Sequence, residues 1–421
     1  MNMVSVIVLA RYLEPRGRGE YFIFQAMVSM LTVFGDFGLS QSANVFVGRH
    51  ADQKVAIHRF LARSSFALWI GMSLLGGVVL WLVGDRLIPN FPAKWEWAAF
   101  GILPIMLYSG FWNSMMIGMG HIWLLNGVQL VMSPFQLLLI LVFIVGLSGG
   151  VGTAVTVYLF TMLLQFVLMV VAANRLGLLA RVQAHDDDLS RQMLAFGLRG
   201  YPNAIATMLW MRLPVFVLNL FHGSVPVGVF SVAQQLAEKA LLPIQAVQDA
   251  IYRKMSTLST GAAIAVMNRY VRVIVSSMIM VMLMGGLLAP WLVRILFGDS
   301  YLGSADVFWI LLIGGVFVSV AMIVSTYVLG QLERPGLLSM LAGANAVVCA
   351  LLSVWFIPSS AELGAAAAIA CTQIAGAIVV VVLYLRITGT TLKDVLLIHR
   401  SDVSLLVTEV IALAYRKNVR V

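Results

Sequence analysis

Of the 421 residues in this chain, 61% are hydrophobic and only 11% are charged, against about 25% charged in a soluble domain, so a soluble globular fold is excluded. The net charge of +9 would point to nucleic acid in a soluble protein. Here the Lys and Arg lie in short connections between apolar blocks, so the membrane explains them and no nucleic-acid partner is expected.

Met1 to Ala10 is apolar but half the length of a membrane span, so the chain is expected to start inside a truncated first helix. Charges, glycines and prolines then bound eleven complete spans, near 21–47, 66–84, 98–119, 122–146, 151–174, 196–221, 227–250, 270–296, 304–330, 336–357 and 361–386. Each is about the 20 residues that a helix needs to cross the hydrocarbon core, and the two-residue alternation of a membrane β-barrel is absent. The expected fold is therefore an all-α integral membrane protein of eleven to twelve transmembrane helices.

The longest polar interruption in mid-chain, Asn174 to Gln192, carries Asp186, Asp187 and Asp188 and reads as a solvated turn capping the next helix. It predicts an N-terminal lobe at 1–174, a cytoplasmic linker at 175–195, a C-terminal lobe at 196–386 and a cytoplasmic tail at 387–421. Of the 27 Lys and Arg, nineteen fall in one alternate set of connections and the tail; six fall in the other set (Arg11, Arg16, Arg18, Arg86, Lys94 and Arg294). That asymmetry predicts that both termini face the cytoplasm. Cys349 and Cys371 sit inside apolar blocks, without a CxxC pair, and read as packing residues.

The second and eighth helices match at a constant offset of 209: Gly19 with Gly228, Tyr21 with Phe230, Gln25 with Gln234, Ser29 with Glu238, Asp36 with Gln245 and Ser40 with Asp249. Such a match predicts an internal repeat. At about 100° per residue, Gln25, Ser29, Thr32, Asp36 and Ser40 share one face, and Gln234, Glu238, Gln245, Gln248 and Asp249 share another. Lipid cannot solvate either face, so a hydrated central cavity lined by both helices is expected. Lys239 lies about 100° round from Glu238, and in the seventh helix Arg199 and Asn203 make a weaker stripe with Arg212 opposite, just before Pro214. The alternative for each such charge is a buried ion pair that fixes helix packing.

No GxxxxGK[ST] segment, HExxH or clustered His ligands occur, so ATP-driven pumping and metal chemistry are not expected, nor is a cofactor. The phrase from Leu9 to Arg49, LARYLEPRGRGEYFIFQAMVSMLTVFGDFGLSQSANVFVGR, resembles the opening of bacterial O-antigen and polysaccharide flippases, which commonly show ARxLGPxGxGxY followed by a helix ending in GxxGL. Ala10, Arg11, Leu13, Pro15, Gly17, Gly19 and Tyr21 carry the match, then Gly35, Gly38 and Leu39; Glu14 stands where the pattern has Gly. Val227 to Ala250 is similar to the helix of the family's second half.

The resemblance implies a MATE-like pair of six-helix lobes in the bacterial inner membrane, within the superfamily of multidrug and polysaccharide exporters. It implies as substrate an undecaprenyl-diphosphate-linked oligosaccharide, moved from the cytoplasmic to the outer leaflet by alternating access. On that reading Arg199, Arg212 and Lys239 attract the diphosphate, while Asp36, Gln25, Asn203, Gln234 and Gln245 bond sugar hydroxyls. Glu238 or Asp249 carries a coupled proton or sodium ion, and polymerase and glycosyltransferase partners are expected. Two other readings stay open: an ion-coupled drug or small-molecule antiporter on the same fold, and an inactive truncated remnant.

Overall fold

A computed structural model describes residues 3–87, 92–180, 187–255, 258–332 and 334–396, and among them every regular element is a helix. In chain order these are α1 (Met3–Asp36), α2 (Leu39–Arg49), α3 (Lys54–Leu87), α4 (Ala93–Gly118), α5 (Ile122–Ile140), α6 (Val151–Arg175), α7 (Asp187–His222), α8 (Ser224–Ala240), α9 (Leu242–Met255), α10 (Thr260–Phe297), α11 (Ser304–Gly330), α12 (Pro335–Thr388) and α13 (Leu392–Leu396). Among the described residues eight helices are long and apolar enough to cross a membrane, or nine if the bent pair α1–α2 is one span.

Two of the long helices are folded rather than straight. Within α12, Ala361 adopts φ 44°, ψ −123°, and a Cβ on Gly376 would lie 2.8 Å from the Asn345 side chain. Thirty-one residues of straight helix would separate those positions by about 46 Å. The two arms therefore run back along each other, matching the expected spans 336–357 and 361–386. With these arms counted separately and α8–α9 covering 227–250, each of the eleven blocks read from the sequence falls in helical structure.

The start of the chain requires a correction. The sequence pattern left 11–20 as a loop, whereas α1 is helical on both sides of a single break at Glu14 (φ 55°, ψ 173°). Pro15 opens the second arm, where a missing N–H leaves no intrahelical bond unmade. Arg16 and Glu20, which look like loop charges, form an i,i+4 pair at 3.4 Å on the first turns of that arm. Likewise α7 begins at Asp187, nine residues before the expected span at 196. Its first turn includes Asp188, whose carboxylate accepts a hydrogen bond from Gln192 at 2.8 Å. Asp186 and the tail beyond 396 lie outside the described residues.

The buried apolar residues fall into three clusters whose arrangement resembles a fork. One cluster is shared by both halves, running from Val6, Phe24 and Val28 through Trp95, Ile144 and Val155 to Val215, Phe230, Val293, Leu312 and Ile357. A second joins α2, the starts of α3 and α7, and the ends of α4 and α6, around Leu39, Ile57, Phe111, Met169 and Met193. The third belongs to the C-terminal half alone, around Ile251, Met267, Ile323 and Tyr384. Apolar burial thus ties the halves together at one end, while α7 contributes Met193 to the N-terminal cluster and Val215 to the shared one.

The internal repeat is visible in the joint itself. A Cβ on Gly19 would collide with the Ser224 carbonyl oxygen, and a Cβ on Gly228 would collide with that of Pro15. Since Ser224 is the offset-209 counterpart of Pro15, and Gly228 that of Gly19, the contact is reciprocal, as in a twofold interface. Only glycine lets α1 and α8 approach backbone to backbone here.

Candidate functional site

Among the described residues, α7 and α8 build a polar cluster inside the bundle. Gln234 and Glu238 are one helical turn apart on α8, and the Gln234 side-chain amide donates to Glu238 Oε1 at 3.2 Å. Arg212 reaches the same carboxylate, with 3.6 Å from its guanidinium nitrogen to Glu238 Oε1; the side chains are 21% and 38% exposed. From the other half, the Phe22 ring of α1 lies under Arg212, 5.8 Å from its guanidinium carbon to the ring centroid.

This cluster borders a cavity of about 220 Å³ lined by Gln234, Glu238, Gln245, Trp210, Met278, Leu312, Met322, Gln373 and neighbours. Its walls come from α7, α8, α9, α10, α11 and α12, so it lies within the C-terminal half. Among the described residues, none that lines this space comes from α1 or α2, so it is not the cavity expected between the second and eighth helices. The α8 polar face turns toward α10–α12, and the N-terminal half contributes Phe22 at its edge.

Three buried polar atoms here have no hydrogen-bond partner among the described residues: Arg212 Nε, Gln234 Oε1 and Gln373 Oε1. Buried polar groups are nearly always satisfied, so two open acceptors on the cavity wall, with the Arg212 donor behind Glu238 and outside the lining, mark a place equipped for a polar guest or water. The guanidinium suits an anion; the amide oxygens suit hydroxyl or ammonium donors.

The other expected site residues are spread over several environments. Asp36 accepts from the Ser40 hydroxyl at 2.5 Å and from the Ser40 backbone N–H at 3.3 Å. It thereby caps α2 across the break at Phe37 (φ 49°) and Gly38 (φ 74°). Gln25 donates toward the Tyr21 hydroxyl at 3.5 Å, and Ser29 and Thr32 bond back to the carbonyls of Ala26 and Val28. The α1 stripe is thus largely occupied within its own helix.

Arg199 and Lys239 lie away from the cavity lining, and so does the half-buried Asn203. Asp249 belongs to α9, with its side chain outside the described residues. Sequence reasoning brought Arg212, Gln234, Glu238 and Gln245 to one place, but it passed over Gln373, whose only signal is an amide in an otherwise apolar arm. It also passed over Arg18, grouped with the basic loops. Among the described residues no three His, Cys, Asp or Glu side chains gather as a metal site would require.

Residues 1–247 match the family model described as polysaccharide biosynthesis protein. Among curated proteins none matches in sequence. The fold is similar to a multidrug resistance MATE family transporter of the MOP superfamily, solved in an inward-facing conformation, with TM-score 0.70, 16% identity, and 92% of this chain and 93% of that one covered. It is similar to the same degree, TM-score 0.70, to the lipid II flippase MurJ in an inward closed conformation, at 15% identity over 93% of this chain and 85% of that one. A MOP superfamily transporter from Pyrococcus furiosus aligns with TM-score 0.61 and 17% identity over 93% of this chain and 92% of that one.

Proposed function

The chain belongs to the polysaccharide biosynthesis protein family, a membership carried by a match over residues 1–247, and from that premise we propose that it is a flippase for an undecaprenyl-diphosphate-linked oligosaccharide. It moves this substrate from the cytoplasmic to the outer leaflet of the bacterial inner membrane, with both chain termini in the cytoplasm. A diphosphate and a chain of sugars cannot cross hydrocarbon unaided, because each unsatisfied polar group costs several kcal/mol there. The protein's task is movement rather than bond chemistry.

The observation that carries this reading is the Arg212, Gln234 and Glu238 cluster beside a cavity with unfilled donors and acceptors. Arg212 is held by Glu238 until a stronger anion competes for it, and the diphosphate is such an anion. Gln234, Gln245 and Gln373 then offer amides to sugar hydroxyls. Arg199 and Lys239, on α7 and α8, contribute positive potential along the approach, and Asn203 extends the polar track. Gln25 and Asp36 join the track as the halves rock about the connection between α6 and α7 and expose the α1 face. Release of Glu238 from Arg212 frees a carboxylate for a coupled proton or sodium ion, a role that Asp249 shares. Glycosyltransferases supply the substrate, and a polymerase receives the product.

Replacing Arg212 by Gln keeps much of the side chain's length and hydrogen bonding but removes its charge. Surface polysaccharide should fall at least tenfold in cells that accumulate the variant normally, as seen on a glycan gel. Undiminished polysaccharide in those cells would reject the cationic site. A change in resistance to cationic drugs, with glycan unaltered, would favour the antiporter reading, for which Glu238 supplies the charge.

A further inference from the structure

Among the described residues, Arg18 is a buried cation without an acceptor. It is 0% exposed, and its Nε and both terminal nitrogens have no hydrogen-bond partner among the described residues. Its guanidinium carbon lies 5.7 Å from the Tyr21 ring centroid and 6.0 Å from that of Phe22. Tyr301, from the far side of the seam, donates its hydroxyl to the Ala10 carbonyl at 2.8 Å, and its oxygen accepts no hydrogen bond from Arg18. Glu20, two residues on, pairs with Arg16 at 3.4 Å, and Asp299, two residues before Tyr301, pairs with Arg294 at 2.8 Å. Burying a guanidinium without an acceptor costs far more than two aromatic faces return.

Packing does not require an arginine at this position. The offset-209 counterpart of Arg18 is Val227, itself 0% exposed on α8 and content as an aliphatic side chain. The arginine is therefore a departure from the repeat, one residue from the Gly19–Ser224 contact that closes the two halves on each other. The Phe22 ring that borders Arg18 also borders Arg212, whose guanidinium carbon is 5.8 Å from the same centroid. One aromatic ring thus touches both the arginine of the polar cluster and the arginine of the seam.

We propose that Arg18 is a stored anion ligand: a guanidinium held dry while α1 and α8 touch, and delivered to the phosphates of the substrate when that seam parts. The proposal rests on the flippase reading and extends it from the cavity to the seam. Arg212 meets the phosphate groups first. As the halves separate at Gly19 and Gly228, Phe22 moves away from Arg18 and Arg18 gains the acceptor it lacks. An apolar residue in its place leaves the closed seam better satisfied and gives the open seam no anion to hold.

The test uses the full chain in detergent, with Cys349 and Cys371 replaced by Ser and Ser224→Cys as a reporter of seam opening. Its labelling by a thiol reagent is followed with and without a C55 polyprenyl diphosphate, with the uncharged polyprenol as control. The parent should label several-fold faster with the diphosphate and not with the alcohol. Arg18→Met should lose that acceleration and label more slowly at rest; Arg18→Lys should keep part of it. Acceleration in Arg18→Met within twofold of the parent overturns the role of Arg18 and leaves the flippase reading standing. No acceleration in the parent removes both. If neither variant accumulates in the membrane, Arg18 is a folding element and the proposal is overturned.

Discussion

At the scale of single residues, two backbone positions carry a conformational cost. Glu14 adopts φ 55°, ψ 173°, and Ala361 adopts φ 44°, ψ −123°, both in regions that side chains with a Cβ avoid. The flippase pattern has Gly where this chain has Glu14, so one of the two was legible in the sequence as a substitution. Glu14→Gly and Ala361→Gly should each stabilise the protein by about 1 kcal/mol, read as a raised melting temperature in detergent. An unchanged or lowered melting point would mean that the surrounding turn, and not the residue, sets the conformation. The Arg212–Glu238 pair makes a second prediction. In a cycle with Arg212→Gln and Glu238→Gln, the double variant should be less destabilised than the two single changes sum to, with a coupling of about 1 kcal/mol, because both side chains keep some contact with solvent. Additive effects would show that the pair does not help hold α7 against α8.

At the scale of elements, the joint between α1 and α8 is the decisive contact. The offset of 209 and the Gly19–Gly228 match were readable because glycines at repeat-related positions of two transmembrane helices point to a close backbone approach. Which way the α8 polar face turns was not readable. Periodicity defines a face, but the neighbour that meets it depends on how α10, α11 and the second arm of α12 pack, and their sequences are nearly uniformly apolar. The same limit applied to Asp36. A lone acid in a span looks like a site residue, and only the break at Phe37 and Gly38 discloses that it caps α2. The joint yields its own prediction. Gly19→Ala and Gly228→Ala each set a methyl on a carbonyl oxygen, and the crowding should cost about 1–3 kcal/mol and open the seam. Faster thiol labelling at Ser224→Cys with a lowered melting temperature is expected. Labelling at the parent's rate would show that the helices touch less closely than the backbone geometry requires.

At the scale of the whole molecule, composition alone decided membrane against soluble, and blocks of about 20 residues without two-residue alternation decided helix against barrel. The start of α1 escaped the pattern because charges on the first turns of a helix look the same in sequence as charges in a loop. Arg18 illustrates this: in the row of residues it is one more basic residue, and only three dimensions reveal that nothing among the described residues answers it. The fork of apolar clusters was equally invisible, since every block is apolar and burial between halves cannot be told from burial within one.

One helix, α7, is seated in the interior of both halves, through Met193 at one end and Val215 at the other. It acts as a dowel passing through two blocks of wood: the covalent link before it is then dispensable. A gene cut between the codons for Ala180 and Asp187 should give two polypeptides that find each other in the bilayer, co-purify through a tag on either one, and restore polysaccharide to a strain lacking the intact protein.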